Sequence, residues 1–427
     1  MRLYLRFSKL FASGGSPAVR AAGWGFLARV GAILLLHTFR FPTAQDSFAF
    51  GYETGRIARS LALGQGFSNP FHGITGPTAW EAPVYPYLVG GIFKIAGIYT
   101  QLSAFLILTM NSLFSALTVI PVYLIARRLF GPRVAGYAAW AWALFPYCMY
   151  WAVRWVWETS VSTFLMTTAF WLALELADAQ GNRSWRLWLW FGLLSGTVAL
   201  TNPSCMTFLP CAWGWACFRI WRNREPWLLR ATVSACVFLA VIMPWGVRNY
   251  RVFREVVPIR GNAGAELRLG NGPEAAGVWM YWLHPTQDVV ELQKYRQLGE
   301  VDYARMRGRE AIDFMRRHPG QTAWLWLKKA AYFWAGVSTA SPAPVVSYLK
   351  TSLFLASSVL AWWGLALVIA RRKYGAFLCS ALLLVYPAAY YIVFPHARYR
   401  HPIEPLMMIL IVYLISEMRA RKGNQNA

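Results

Sequence analysis

The chain has 427 residues, of which 57% are hydrophobic, 16% aromatic and only 14% charged. Because a soluble domain usually carries about 25% charged residues, this composition excludes an ordinary soluble enzyme and favours an integral membrane protein. The formal net charge of +24 does not indicate a nucleic-acid-binding protein. The basic residues stand in twos and threes between apolar runs, which is typical of membrane loops.

The apolar runs predict about ten transmembrane helices, since a spanning helix needs roughly 20 mostly apolar residues. The predicted spans are 22–39, 102–127, 134–151, 156–177, 186–201, 204–221, 228–247, 347–370, 375–394 and 402–418. The first span is followed by FRFPTAQDSF, which has no small-x-small cleavage site, so we expect a retained anchor. The 6 cysteines form no CxxC pair, and we expect neither a disulfide framework nor a zinc site.

The distribution of basic residues predicts the orientation in the membrane. One set of short loops collects the basic clusters at 127–133, 219–230, 371–373 and 419–422, whereas the opposite short loops are poor in Arg and Lys. Because short basic loops stay in the cytoplasm, both termini are expected there. The chain is then one transmembrane catalytic domain, 1–427, in the cytoplasmic (inner) membrane. It has outer loops at 41–101 and 248–346 and C-terminal transmembrane helices in 347–427, with the outer loops facing the periplasm in a Gram-negative cell.

Both outer loops are expected to contain helices at the membrane surface. In the first loop, apolar residues near a 3.6 spacing predict an amphipathic helix over 46–63, ending at Gly64 or Gly66. One face of that helix would carry Asp46, Phe50 and Glu53. A second helix is predicted at about 83–97.

The long loop carries two further helix patterns. A helix is predicted over 300–317, stopped by His318-Pro319-Gly320. The Trp-rich segment 321–337 carries Lys328 and Lys329 at its centre, which favours an interfacial helix rather than a span.

Four stretches follow one another in an order that resembles the bacterial GT-C membrane glycosyltransferases, relatives of the protein O-mannosyltransferases and the lipid A aminoarabinose transferase. They are YETGRIARSLALGQGF, GPTAWEAPVYPYLVGGIFKIAG, MPWGVRNYRVFREVVPIRGNAGAELRLGNGPEAAG and HARYRHPIEPLMMILI. The resemblance implies an all-α, GT-C type bundle with two outer-face loops. It also implies transfer of a sugar from a polyprenyl-phosphate carrier to a glycan, lipid or protein acceptor, usually with inversion, at the outer membrane face.

The resemblance further implies a catalytic acid in the first outer loop. Many relatives carry an aspartate seven residues before an Ile-Ala pair, and that position here is Phe50. Glu53 is therefore the favoured catalytic residue, because it neighbours Arg56 and the glycine turn, and Asp46 is the alternative. A carboxylate in a partly dehydrated cleft can take the proton of an attacking acceptor hydroxyl.

A phosphate leaving group needs fixed cations or hydrogen-bond donors, and two groups of residues supply them in the sequence. The C-terminal group, at the outer end of the last predicted span, is His396, Arg398, Tyr399, Arg400 and His401. The other predicted substrate-binding residues are Arg56, Glu81, Tyr85 and Arg248. No metal ligand set is predicted from spacing, and the involvement of a divalent ion stays open.

Structural alternatives exist for each of these residues. Glu53 can pair with Arg56 on an exposed helix, and Arg398 and Arg400 can anchor the protein at lipid headgroups. Glu158 is expected to form a structural ion pair near Arg154 or a wall of the cavity. The lone loop histidines, His72 and His284, are expected to be structural or solvent-facing.

Two other functions compete with glycosyl transfer. A lipid-linked sugar transporter or flippase would carry ionisable residues near the bilayer midplane and an internal repeat, whereas nearly all acids here lie in loops. An O-antigen polymerase or ligase would centre on an arginine-rich outer loop without an acid-bearing first loop. Glycosyl transfer, with the lipid bilayer and a lipid-phosphate donor as partners and no nucleic acid, is the interpretation that fits the residues best.

Overall fold

The computed structural model describes residues 16–43, 48–337 and 344–425, which fold into helices. Within these ranges, β-structure is limited to one isolated bridge between Ser68 and Pro77, so the all-α class is confirmed. The helices are α1 Pro17–Leu35, α2 Glu53–Ala62, α3 Val84–Ala96, α4 Gln101–Leu117, α5 Val119–Phe130, α6 Pro132–Leu144, α7 Pro146–Arg154, α8 Thr159–Leu176, α9 Gly181–Thr201, α10 Leu209–Arg222, α11 Leu228–Phe253, α12 Ala263–Gly270, α13 Val289–Leu298, α14 Glu300–Arg317, α15 Pro319–Ala335, α16 Pro344–Ala370, α17 Ala376–Val385, α18 Ala388–Ile392 and α19 Glu404–Gln425. Short 3-10 turns lie at Phe48–Phe50, Pro203–Thr207, Tyr281–Leu283 and Ala397–Ile403.

Five helical segments of the described chain are long and apolar enough to cross a bilayer, which establishes a multi-pass membrane protein. They are Pro17–Leu35, Gln101–Phe130, Thr159–Leu176, Leu228–Phe253 and Tyr348–Ala370. The remaining predicted spans also fall on helices. Some of these helices are short or broken, as at Phe145 between α6 and α7, whereas α9 and α19 have 21 and 22 residues but are not among the five. The count of ten spans therefore stays a prediction.

Small residues allow α9 and α11 to pack closely against each other. Gly192 and Gly196 lie one turn apart on α9, where α9 packs along α11. A Cβ atom at Gly192 would meet the carbonyl oxygen of Ser234, and one at Gly196 would meet the side chain of Val241. Glycines at this spacing let two backbones approach within a membrane, where packing rather than hydrophobic exclusion holds helices together.

The described parts of the two predicted outer loops, 48–101 and 248–337, pack against each other and are called the first and second outer segments. A buried aromatic cluster joins them, with Phe71 and Trp80 from the first segment packed against Tyr295 and Tyr303 from the second. The carboxylate of Glu300, at the start of α14, accepts hydrogen bonds from both segments. These contacts satisfy backbone and side-chain polar groups that neither segment could satisfy alone.

The predicted continuous helix over 46–63 is wrong in its first half. Phe50 belongs to a separate 3-10 turn, and α2 begins only at Glu53. Gly51 and Tyr52 interrupt the helix with φ angles of 76° and 41°, and Gly51 also tolerates no side chain, because a Cβ atom there would strike the carbonyl oxygen of Val156. Phe50 and Glu53 therefore do not share one helix face, and Asp46 lies outside the described residues.

The other outer helices agree with the sequence patterns. The helix predicted at 83–97 is α3, with Pro83 at its N-cap, and the helix predicted at 300–317 is α14, which ends at His318. The segment predicted as an interfacial helix is α15. Its Lys329 is buried, and its Nζ donates to the side chain of Asn271 and the carbonyl of Ile392.

The orientation can be tested with single cysteines. Ile74, in the first outer segment, and Asn223, between α10 and α11, are both exposed and lie on opposite sides of the predicted membrane. In intact spheroplasts, Ile74→Cys should react with a membrane-impermeant thiol reagent and Asn223→Cys should not. Wild-type protein controls for labelling of the native cysteines. Labelling of Asn223→Cys but not of Ile74→Cys would mean that the orientation is the reverse of the predicted one.

Candidate functional site

Glu53 is the first residue of α2, and the second outer segment holds its carboxylate. Thr286 Oγ1 donates a hydrogen bond to Oε1 of Glu53. The backbone N–H of Thr286 donates to Nδ1 of His284 at 3.2 Å, and that ring nitrogen lies 3.8 Å from the same Oε1. The Glu53 side chain is only 17% exposed, so it is not the solvated surface group that the structural alternative required.

Arg56 lies one turn further along α2 and supports the same contact. Its Nη1 lies 3.4 Å from Oγ1 of Thr286 and from the carbonyl oxygen of Pro70. Its guanidinium also lies over the ring of Tyr52, 5.5 Å from the ring centroid. Arg56 therefore acts on Glu53 through Thr286, whose hydroxyl can accept from the cation while donating to the carboxylate.

Glu81 stands three residues before α3, and its charge interacts with that of Glu53. Thr54 Oγ1 donates to Oε2 of Glu81 at 2.7 Å. Burial, followed by the negative charge of Glu53, raises the pKa of Glu81 to about 8. At neutral pH the pair therefore favours a proton on Glu81, which makes Glu81 a hydrogen-bond donor beside Glu53.

Arg398 is a buried cation that faces the same acids from the C-terminal end of the chain. Its guanidinium lies over the ring of Trp157, 4.2 Å from the centroid, and Nη2 contacts the hydroxyl of Tyr399 at 3.4 Å. Nε of Arg398 is buried without a hydrogen-bond partner among the described residues. Burial lowers the pKa of Arg398, but interactions with Tyr399, Glu158 and Glu81 outweigh burial and raise it.

Glu158, at the N-terminus of α8, is the third acid that interacts with this part of the protein. Its Oε1 accepts from Nδ2 of Asn202 at 3.4 Å. The ion pair expected with Arg154 does not form, and the Arg154 guanidinium lies over Trp155, 5.3 Å from the ring centroid. Glu158 instead contributes a negative charge that acts on both Glu81 and Arg398.

His396 and Tyr399, which belong to the predicted C-terminal group, flank Arg398. His396 is packed among aromatic rings, and burial together with the charges of Arg398 and Lys350 holds its pKa well below the usual range. Its Nδ1 accepts from the backbone N–H of Arg398 at 3.2 Å, so the ring is a neutral acceptor that fixes this turn. Tyr399 stacks on Tyr390 with 4.4 Å between ring centroids.

Arg400 and His401 do not join this group, contrary to the predicted phosphate clamp. Nε of Arg400 donates to Oε1 of Glu404 at 3.0 Å, and its Nη1 donates to the carbonyl of Phe354 and the hydroxyl of Ser358, both at 3.0 Å. Nδ1 of His401 lies 2.6 Å from Oε2 of Glu404. The guanidinium of Arg400 is thus committed to a buried structural network between α16 and α19.

Arg248 and Tyr85 also have structural contacts. Arg248 donates to the carbonyl oxygens of Thr78 at 2.6 Å and Phe67 at 2.8 Å, which attaches the first outer segment to α11. The hydroxyl of Tyr85 is buried and bonds to the side-chain amide of Asn111. Neither residue is placed as the free phosphate-binding or substrate-binding group that the sequence suggested.

Sequence reasoning missed the contribution of the second outer segment. His284 was interpreted as an isolated loop histidine, and Thr286 carried no signal at all. They reach Glu53 across 231 and 233 positions of sequence, and only the folded outer layer brings them together. The described residues contain no group of three or more His, Cys, Asp or Glu side chains placed to hold a metal ion.

The fold has known counterparts. Residues 80–245 match the family model described as dolichyl-phosphate-mannose-protein mannosyltransferase, a range that includes Glu81 and Glu158. The apo crystal structure of the Archaeoglobus fulgidus oligosaccharyltransferase superposes with a TM-score of 0.57 at 14% identity, covering 96% of this chain and 52% of that chain. The chain has the GT-C fold.

Two further solved structures are similar to this chain. The same oligosaccharyltransferase tethered to an acceptor peptide containing the NVT sequon gives a TM-score of 0.55 at 15% identity, with coverage of 95% and 49%. ArnT from Cupriavidus metallidurans bound to undecaprenyl phosphate gives 0.43 at 11% identity, with coverage of 93% and 77%. The chain thus spans about half the length of the archaeal oligosaccharyltransferase. No curated protein shows significant sequence similarity to this chain.

The contact between Thr286 and Glu53 can be measured by a double-mutant cycle on unfolding free energy in detergent. Thr286→Val removes the hydroxyl but keeps the side-chain shape, and Glu53→Ala removes the acceptor. Because a hydrogen bond to a charged group contributes about 1.5–3 kcal/mol, the two changes should couple by at least about 1 kcal/mol. Thr286→Ser is the matched control and should retain the coupling, whereas additive effects of the first pair would contradict the contact.

The raised pKa of Glu81 predicts a pH-dependent stability. Between its unfolded pKa of 4.5 and its folded pKa of about 8, the folded protein binds more protons at this site than the unfolded chain does. Wild-type protein therefore loses this contribution to stability as the pH rises through that window, and Glu81→Gln does not. The Tm difference between Glu81→Gln and wild type should increase from pH 5 to pH 8. The exposed Glu274→Gln is the control, and a pH-independent difference for Glu81→Gln would contradict the assignment.

Proposed function

We propose that the protein transfers a sugar from a polyprenyl-phosphate-linked donor to an acceptor hydroxyl at the outer face of the cytoplasmic membrane, with inversion. The observation that carries this proposal is the convergence of Glu53, Glu81, Glu158 and Arg398. The first outer segment, the N-terminus of α8 and the 3-10 turn before α19 contribute these side chains, whose charges act on one another. A cation for the leaving phosphate and a carboxylate base near it are what transfer from a phosphate carrier requires.

Glu53 acts as the base in this reaction. The acceptor oxygen attacks the anomeric carbon, its proton passes to the carboxylate of Glu53, and the bond between that carbon and the phosphate oxygen breaks. The polyprenyl phosphate leaves with the bonding electrons. The contact with Thr286 fixes the direction of the carboxylate, so that the lone pair on its other oxygen is available to the acceptor.

Arg398 receives the phosphate. Its buried Nε has no hydrogen-bond partner among the described residues, and a phosphate oxygen would satisfy it with a charge-assisted hydrogen bond. Before the donor binds, the negative charge of Glu158 balances that of Arg398 at longer range. Stabilisation of the charge that develops on the leaving phosphate is the largest contribution expected from a preorganised cation.

The raised pKa of Glu81 supports different roles for Glu53 and Glu81. Because the pKa of Glu81 is raised to about 8, Glu81 can donate a hydrogen bond to the sugar or the phosphate at neutral pH. Glu81 thus takes the role of hydrogen-bond donor, and Glu53 beside it takes the role of base.

The test is the loss of a glycan from the cell envelope. A strain that lacks the gene is complemented with wild type or Glu53→Gln, and surface glycans are compared by mass spectrometry. Glu53→Gln keeps the shape of the side chain and removes its basicity, so transfer should fall at least ~100-fold. No glycan difference between the deletion strain and wild type would overturn the proposed transfer.

Two further variants locate the base. Asp302→Asn changes an exposed carboxylate on α14 that pairs with Arg305, and it should leave transfer unchanged. Asp46→Asn should be much milder than Glu53→Gln. If Asp46→Asn abolishes transfer while Glu53→Gln remains active, the base is Asp46 and the role of Glu53 is wrong.

A further inference from the structure

The stretch of the second outer segment just before α12 runs alongside the stretch that leads to Glu81. Arg260 lies three residues before α12, and its Nε donates to the carbonyl oxygen of Trp80 at 2.8 Å. The backbone N–H of Gly261 donates to the carbonyl oxygen of Ala79 at 2.9 Å. These two hydrogen bonds fix the guanidinium of Arg260 next to the residue that directly precedes Glu81 in the chain.

The guanidinium of Arg260 is also held from its own segment. Nη2 of Arg260 lies 3.6 Å from Oε1 of Glu266, and the same oxygen accepts from Nδ2 of Asn262 at 2.8 Å. The side chains of Arg260 and Glu266 both remain partly exposed. Because a guanidinium is planar and rigid, contacts at Nε and at Nη2 together restrict its orientation.

The charge of Arg260 acts on Glu81. Burial and the negative charges of Glu53 and Glu158 favour the protonated form of Glu81, whereas the positive charge of Arg260 favours the ionised form. Arg260 therefore opposes the effects that keep the proton on Glu81. The titratable and charged groups that interact with Glu81 from other parts of the chain are Glu53 of α2, Tyr85 of α3, Glu158 at the start of α8 and Arg398 of the 3-10 turn.

We propose that Arg260 is a positioning residue of the candidate site, which acts on the reaction through Glu81, and that Glu266 fixes Arg260 for this role. The inference rests on the proposed function for the reaction in which Glu81 takes part. Arg260 sets the pH range over which Glu81 carries a proton and can donate a hydrogen bond. Glu266 limits this effect, because its negative charge partly compensates that of Arg260.

The first test follows the proton of Glu81 in purified protein without any substrate. Each protein is compared with the same protein carrying Glu81→Gln, and the Tm difference should increase with pH until Glu81 is ionised and then level off. Arg260→Gln keeps an N–H donor for the carbonyl of Trp80 but removes the cation, so the levelling should move to higher pH by about half a pH unit or more. Arg260→Lys keeps the charge and should level off near the wild-type pH.

Glu266→Gln is the opposite change in the same pair. Its side-chain oxygen can still accept from Asn262, but the negative charge beside Arg260 is lost, so the levelling should move to lower pH. A purely structural role would lower the Tm of both variants without opposite shifts. Arg296→Gln is the matched control and should leave the levelling unchanged, since Nη2 of the exposed Arg296 likewise donates to a carbonyl of the first outer segment, that of His72, at 2.7 Å.

A second readout uses undecaprenyl phosphate as the probe. A protonated Glu81 repels a phosphate less than an ionised one does, so affinity should fall as Glu81 loses its proton, and Glu81→Gln should lack this fall. The pH of the fall should rise in Arg260→Gln and decrease in Glu266→Gln.

The outcomes separate this inference from the proposed function. Shifts of the same sign in Arg260→Gln and Glu266→Gln, or no shift in either, would overturn the role of Arg260. Opposite shifts without any envelope-glycan change in the deletion strain would support the control of Glu81 by Arg260 and overturn the proposed transfer instead.

Discussion

The candidate site depends on the buried carboxylate of Glu300, which joins the two outer segments. It accepts hydrogen bonds from the hydroxyl of Thr78, from the backbone N–H of Ala79 at 2.7 Å and from the hydroxyl of Tyr295 at 3.0 Å. Burial raises the pKa of Glu300, and the hydrogen bonds from these donors oppose part of that rise. Since Glu81 follows Ala79 by two residues, the hydrogen bonds to Glu300 fix the position of Glu81 relative to the second outer segment. Removal of Glu300 would leave buried donors unpaired and release the first outer segment.

Local patterns were sufficient to predict most helices and part of the site. Apolar runs located the membrane segments, and proline and histidine positions marked the bounds of α3 and α14. The break before Glu53 was missed because it depends on backbone angles at Gly51 and Tyr52 and on the nearby carbonyl of Val156, which is a tertiary contact. The contribution of Thr286 was out of reach for the same reason, because no spacing rule connects residues 233 positions apart.

Burial and neighbouring charges together decide the proton balance of the site. Burial is the largest cause of the raised pKa of Glu81 and the negative charges of Glu53 and Glu158 add to it, whereas the hydrogen bond from Thr54 and the charge of Arg260 oppose it. The site therefore favours a proton on Glu81. An incoming phosphate would add negative charge and favour that proton further, so donor binding and protonation of Glu81 should reinforce each other.

The 3-10 turn at Ala397–Ile403 separates the two arginines of its sequence. A 3-10 helix has 3.0 residues per turn, so residues two positions apart project about 240° from each other. Arg398 therefore faces the carboxylates while Arg400 faces Glu404 and Ser358, although both stand in the short motif HARYRH. Sequence alone grouped them, because it showed two arginines without the pitch of the turn between them. The turn thus leaves one arginine among the carboxylates of the candidate site and fixes the other in the buried contacts between α16 and α19.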